Sequence, residues 1–190
     1  MTHGRTPRRA LSLVLAATAT LALALPVGAV DTVTQAITAG NRTASVADLT
    51  LASVAYSHSA QTSTGTMTLT ADDSTGSNLG WNVTILTSAF AYSGGNGGTA
   101  IPAANLTLTS AAAPTRTAGQ AVDVLGVGGP KVPSVSPVGT LDSARKTVQA
   151  EVLFGNGTYT QALGVSLNVP AQSAAGSYTG TLTTTISAAP

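Results

Sequence analysis

Near the C-terminus, Tyr178, Gly180, Leu182, Thr184 and Ile186 alternate with Thr179, Thr181, Thr183, Thr185 and Ser187. A period of two puts a largely apolar face on one side of a strand and a hydroxyl face on the other. Upstream, Leu163, Val165, Leu167 and Val169 alternate with Gly164, Ser166 and Asn168, ending at Pro170. The small, polar stretch 171–177 between the two runs predicts a loop joining neighbouring strands. Met67, Leu69 and Ala71 alternate with Thr66, Thr68 and Thr70, and Trp81, Val83 and Ile85 with Asn82 and Thr84. Leu49-Thr50-Leu51 and Leu106-Thr107-Leu108 are shorter matches. Thr and Val suit strands because a branched Cβ is restricted in a helix but packs on a pleated surface.

From residue 30 onward no segment sustains a helical apolar stripe. Residues 144–154 hold helix formers, but Val148, Val152, Leu153 and Phe154 leave that stretch between helix and strand. Gly94-Gly95-Asn96-Gly97-Gly98 reads as a loop, and 126–139, with Pro130, Pro133 and Pro137, as a second irregular stretch. No internal repeat of fixed period is visible. Short strands separated by such punctuation predict an all-β domain, a sandwich or barrel of antiparallel sheets, with an immunoglobulin-like antiparallel β-sandwich as the expected fold.

The first 29 residues read differently. Arg5, Arg8 and Arg9 precede an apolar run over 10–25, broken by Pro26, with Val27 and Ala29 at the small positions of a cleavage site. This is the secretory signal pattern, and the run is short for a spanning helix of about 20 residues. Arg8-Arg9 raises a twin-arginine route, but of the apolar pair that should follow only Leu11 is present, which favours general secretion. The expected organisation is a signal peptide over 1–29, a polar lead-in over 30–45 and one β domain over 46–190. No second apolar segment follows, so the expectation is no membrane attachment after cleavage.

Charge sharpens this reading. Lys+Arg 8 against Asp+Glu 7 amount to 8% charged residues, where about 25% is ordinary. Beyond residue 29, five basic residues (Arg42, Arg116, Lys131, Arg145, Lys146) face all seven acidic ones, a balance of −2. Such a surface does not neutralise phosphates, so a nucleic-acid partner is excluded. With Cys 0 there is no disulfide framework, zinc–thiolate site or cysteine nucleophile.

Candidate chemistry is thin. His58 is the one histidine beyond the signal; Ser57 and Ser59 flank it, but on a strand they would face away from it, and no Gly-x-Ser-x-Gly elbow exists. Glu151 is the sole glutamate, and the adjacent Asp72 and Asp73 would diverge on a strand rather than face each other as an acid/base pair. Asp72, Asp73, Ser74, Ser77 and Asn78 bring hard oxygens into one turn; they suit calcium, or simply bond their own backbone. Asn41, Asn82, Asn105 and Asn156 open glycosylation-type triplets, expected by chance in a Thr-rich chain. Trp81, the single Trp, is either a core anchor or an exposed indole for a sugar ring or a partner protein. The expectation is a protein without enzymatic activity, cofactor or metal.

The run Met67 to Thr84 resembles the first motif of the WxL-domain surface proteins, which are secreted, cell-wall-associated proteins of Gram-positive bacteria. Asp73, Gly76, Gly80 and Trp81 fall at that family's spacing; Phe90 with 101–106 resembles its next strand, and 176–190 its closing motif. The resemblance covers about 49–190. The first signature triplet reads Trp81-Asn82-Val83; Thr184 and Ile186 stand where the second Trp and Leu would fall, and Thr75 where the turn usually has Arg. The resemblance implies a β-sandwich that attaches noncovalently to peptidoglycan at the cell surface, with other surface proteins as possible partners. Trp81, Asp73, Gly80 and Val83 are then the expected cell-wall-binding residues. The alternative is a structural subunit of a surface assembly, joined through sheet edges.

Overall fold

The structure is a computed structural model that describes residues 33–123 and 127–188. The expected signal peptide lies outside the described residues, and among those described no helix is long and apolar enough to cross a membrane. All strands belong to the unit Ile37–Pro190. They are β1 (Arg42–Val46), β2 (Gln61–Asp73), β3 (Trp81–Thr87), β4 (Ala91–Ser93), β5 (Leu106–Ala111), β6 (Thr115–Gly119), β7 (Gly139–Thr140), β8 (Arg145–Ala150), β9 (Gly157–Val169), β10 (Ser177–Thr179) and β11 (Leu182–Ala188). One turn of 3-10 helix, Ala103–Asn105, precedes β5. Every pairing is antiparallel.

The larger sheet runs β1-β2-β9-β5-β7, and β6 joins β9 beside β5. Its spine is the pair of 13-residue strands β2 and β9, matched from Gln61 opposite Val169 to Asp73 opposite Gly157. The smaller sheet runs β11-β3-β8, and the β10–β4 pair extends the β11–β3 ribbon past a break at Ser88 and Thr181. The alternation predicted from sequence fixes the faces. Met67, Leu69 and Ala71 of β2 and Tyr159, Leu163 and Val165 of β9 are buried, as are Trp81, Val83 and Ile85 of β3. All belong to one hydrophobic cluster, so the buried faces of the two sheets share a core.

Thr147 and Val148 are neighbours on β8, yet both are buried. The register with β3 slips between Val83 and Thr84, so Thr147 is the extra residue of a bulge. Its carbonyl, released from the ladder, accepts from Gln161 Nε2 of the opposite sheet at 2.9 Å. The same amide donates to Ala112 O at 2.9 Å and ties the chain after β5 to both sheets. Thr147 Oγ1 and Gln161 Oε1 are buried without a partner.

Several expectations change. The runs around 163–169 and 178–187 are not neighbours: β9 has β2 on one edge and β5 with β6 on the other, leaving no edge for β11, which pairs with β3. The 171–176 loop therefore carries the chain between sheets. The last predicted strand is two strands, broken at Gly180, where a Cβ would lie 3.0 Å from the Phe90 ring. Residues 49–51 form no strand; Leu49 and Leu51 cross the inner face of β2 at Gly65, which leaves no room for a side chain. Residues 42–45, assigned by sequence to a lead-in, make up most of β1. The ambiguous 144–154 stretch resolves as β8 followed by a turn.

Candidate functional site

Two ends of the fold carry features beyond a plain core. They lie at opposite ends of β2, a strand about 40 Å long at about 3.3 Å per residue.

The first end holds the residues singled out by sequence. Asp73 closes β2 with its side chain turned inward, 2% exposed. Its Oδ2 accepts from Arg42 Nη2 at 2.8 Å, directly across the β1–β2 ladder. Its Oδ1 accepts from the Thr75 amide at 3.0 Å and the Thr75 hydroxyl at 2.6 Å. Burial alone would raise the Asp73 pKa, but the Thr75 hydroxyl, the Arg42 guanidinium and the Thr75 amide outweigh it and hold the carboxyl below its ordinary range. Thr75 Oγ1 thus engages one oxygen of the Asp73 carboxylate and Arg42 the other.

Asp72 points to the outer face, as adjacent strand positions require. It accepts from the hydroxyls of Ser74 and Thr158, both at 2.6 Å. Asn78 Oδ1 accepts from the Asn156 amide. The oxygens that suited calcium are therefore largely engaged in shaping the turn, and among the described residues no group of three acidic or imidazole side chains is placed to hold a metal.

Trp81 and Val83 are fully buried, each 0% exposed. The indole lies 6.1 Å from the Tyr159 ring at 44°, and its Nε1 donates to Gly155 O at 2.9 Å. Gly155 has φ 84°, and a Cβ there would come within 2.5 Å of that same Nε1. Gly80, at φ 69°, would put a Cβ 2.5 Å from Ala150 O. Both glycines meet a positive φ and a close approach at once. The four expected contact residues, Trp81, Asp73, Gly80 and Val83, are therefore brought together, but inside. In this structure neither Trp81 nor Val83 presents side-chain surface to solvent.

The second end was not singled out by sequence. The irregular segment 47–60 crosses from β1 to β2 and, with the 170–176 turn, walls a cleft of about 320 Å³. Its floor includes Ile101 and Leu167, and its walls include Tyr56, Ser57, Gln61 and Tyr178. No lining residue is charged. Tyr178 stands 5.3 Å from Tyr92, and their hydroxyls donate to Ala174 O at 2.9 Å and Ala175 O at 3.0 Å. Tyr56, 58% exposed, meets the His58 ring edge-on at 5.3 Å. A neighbouring cleft of about 460 Å³, beyond Leu51, is lined mainly by flanking apolar side chains such as Met67, Phe90 and Leu182, with Asp48 at its rim. In the sequence, only the run Tyr56-Ser57-His58-Ser59 could have pointed to the cleft of about 320 Å³, and it reads there only as a candidate triad. The other half of the cleft comes from Tyr178, which only the fold brings near.

The domain is thus all-antiparallel, with a surface cleft at one end. A family model described as WxL domain, surface cell wall-binding, matches residues 27–190. The chain belongs to this WxL family. Comparison with curated proteins and with solved structures found no match.

Proposed function

We propose that this chain is a secreted, non-enzymatic surface protein whose β-sandwich attaches noncovalently to the peptidoglycan of the cell wall. The extent of the family match, residues 27–190, carries this reading, because it takes in every strand of the fold. The segment 1–29 serves as the export signal, with charge and apolarity in the order such signals need. Trp81, Asp73, Gly80 and Val83 hold the shape of one end of the domain and do not touch the wall.

His58 packs on Tyr56, Ser57 Oγ accepts from the Ser59 amide at 3.0 Å, and Asp72 and Asp73 diverge with their oxygens engaged. The test is sedimentation with purified sacculi at physiological salt. Protein in the pellet is expected; protein that stays in the supernatant over a tenfold range of sacculus concentration refutes wall binding.

A further inference from the structure

We infer that the Tyr56–Tyr178 cleft binds a neutral saccharide, and that the domain therefore grips the uncharged glycan strand of the wall and not its charged peptide stems. The inference rests on the wall-binding reading above and specifies which chemical part of the wall is held.

Aromatic residues are scarce in this chain, with Trp 1, Tyr 4 and Phe 2. Trp81 and Tyr159 fill the core, and Phe90, Phe154 and one side of Tyr178 pack against it. Tyr178 also lines the cleft together with Tyr56, and Tyr92 stands directly behind it. Core packing does not account for Tyr56, which is more than half exposed. The Tyr92 and Tyr178 hydroxyls are tied to successive carbonyls of the 170–176 turn, which fixes their rings before any ligand arrives. Asn96 adds a second tie, its Nδ2 donating to Ala175 O at 2.8 Å. Fixed rings lose little entropy on binding.

The chemistry of the lining selects the ligand class. A sugar ring offers C–H faces that pack on aromatic rings and a rim of hydroxyls that needs neutral donors and acceptors. The cleft has both: tyrosine rings above an apolar floor, and Ser53, Ser57 and Gln61 at the walls. Ser53 is exposed and Gln61 half-buried, and neither side chain makes a hydrogen bond among the described residues. A peptide stem bearing carboxylates and amines would leave charges here without a counter-charge, a costly arrangement in a partly enclosed site. The volume, about 320 Å³, is at the lower end for ligand sites.

The experiment measures retention of the purified protein on sacculi in the presence of two soluble competitors. One is a neutral β-1,4-linked tetramer of N-acetylglucosamine; the other is a synthetic stem pentapeptide. The tetramer is expected to release the protein and the pentapeptide to leave it bound. Raising salt to about 0.5 M should not weaken retention, because no ion pair is involved. Tyr56→Ala should lower affinity for sacculi about tenfold with an unchanged melting temperature, as loss of an exposed aromatic anchor would. Gln61→Ala should act in the same direction. Retention that resists the tetramer and tolerates both substitutions, or that yields to the pentapeptide, overturns the glycan inference and leaves wall binding standing. Failure to bind sacculi at all overturns both.

Discussion

Replacing Trp81 by Phe separates a framing role from a contact role. The indole is completely enclosed, and its N–H satisfies the Gly155 carbonyl at 2.9 Å. Phe removes that donor and leaves a buried acceptor unpaired, which costs about 1–3 kcal/mol. It also buries roughly 40 Å² less apolar area, about 1 kcal/mol at about 25 cal/mol per Å². The void beside Tyr159 adds up to about 1 kcal/mol, because Gly155 and Gly80, pinned by their contacts with Trp81 and Ala150, limit collapse. The expected loss is about 3–4 kcal/mol, and about 4–5 kcal/mol for Trp81→Ala. For a domain of this size that lowers the melting temperature by roughly 6–15 °C. Far-ultraviolet circular dichroism through a denaturant titration reads the loss without relying on the missing fluorophore. Sacculus binding, measured well below the variant's melting temperature, should be near that of the parent. A variant as stable as the parent that no longer binds would place the indole at the contact and refute the enclosed geometry.

Other consequences follow from the same residues. Because the folded-state pKa of Asp73 is depressed, its contribution is full above the unfolded value of 3.8 and is lost as pH falls through the folded value. Acid titration of stability should therefore show a decline setting in near pH 4 that is shallower in Asp73→Asn. At neutral pH Arg42→Ala, which strands a buried carboxylate, should cost about 3 kcal/mol in urea unfolding; a loss below about 0.5 kcal/mol would show that Asp73 is not buried with Arg42 as its counter-charge. Gly80→Ala combines a positive φ with a 2.5 Å approach to Ala150 O and should destabilise by more than about 2 kcal/mol, read as a shift in urea midpoint. Thr147→Val removes a buried hydroxyl without a partner at nearly constant volume and should be neutral or stabilising by up to about 1 kcal/mol. A clear destabilisation there would mean that the hydroxyl has a partner such as bound water.

The sequence shows where strands run more readily than which strands meet. Period-two alternation located the buried faces of β2, β3 and β9, because burial on one side is written residue by residue. Pairing is not local. The adjacency expected between the runs at 163–169 and 178–187 failed because β9 is a central strand, a fact set by the partners β2, β5 and β6, none of them next to it in the chain. The Thr147 bulge escaped notice for a related reason. Two consecutive buried residues break alternation, and a hydrogen bond from Gln161 on the other sheet stabilises the break. At the candidate site, Gly80-Trp81 was legible as special, since a unique Trp after a glycine signals a constrained turn. What the local pattern could not supply was the partner that encloses it: Gly155 lies on a distant loop, and its carbonyl and missing side chain decide that the indole points in.

That enclosure also explains why the most recognisable stretch of the chain is the less suitable surface for a ligand. The run from Asp73 to Trp81 includes three residues at positive φ, Gly76, Asn78 and Gly80, and such a turn persists only if surrounding contacts over-determine it. Arg42, Gly155 and Tyr159 supply those contacts from outside the turn, and Thr75 supplies one from within it. The same requirement does not apply at the other end of β2, where the Tyr92 and Tyr178 hydroxyls donate to carbonyls of a turn with no fully buried residue, and Tyr56 is exposed. An end built this way fixes ring positions while leaving side chains at its rim replaceable at little cost to folding. Substitutions at 56 and 61 should therefore alter binding without altering stability, whereas those at 73, 80 and 81 should do the reverse. Measuring both quantities on one panel of variants distinguishes a frame at one end and a contact at the other from a single motif that performs both tasks.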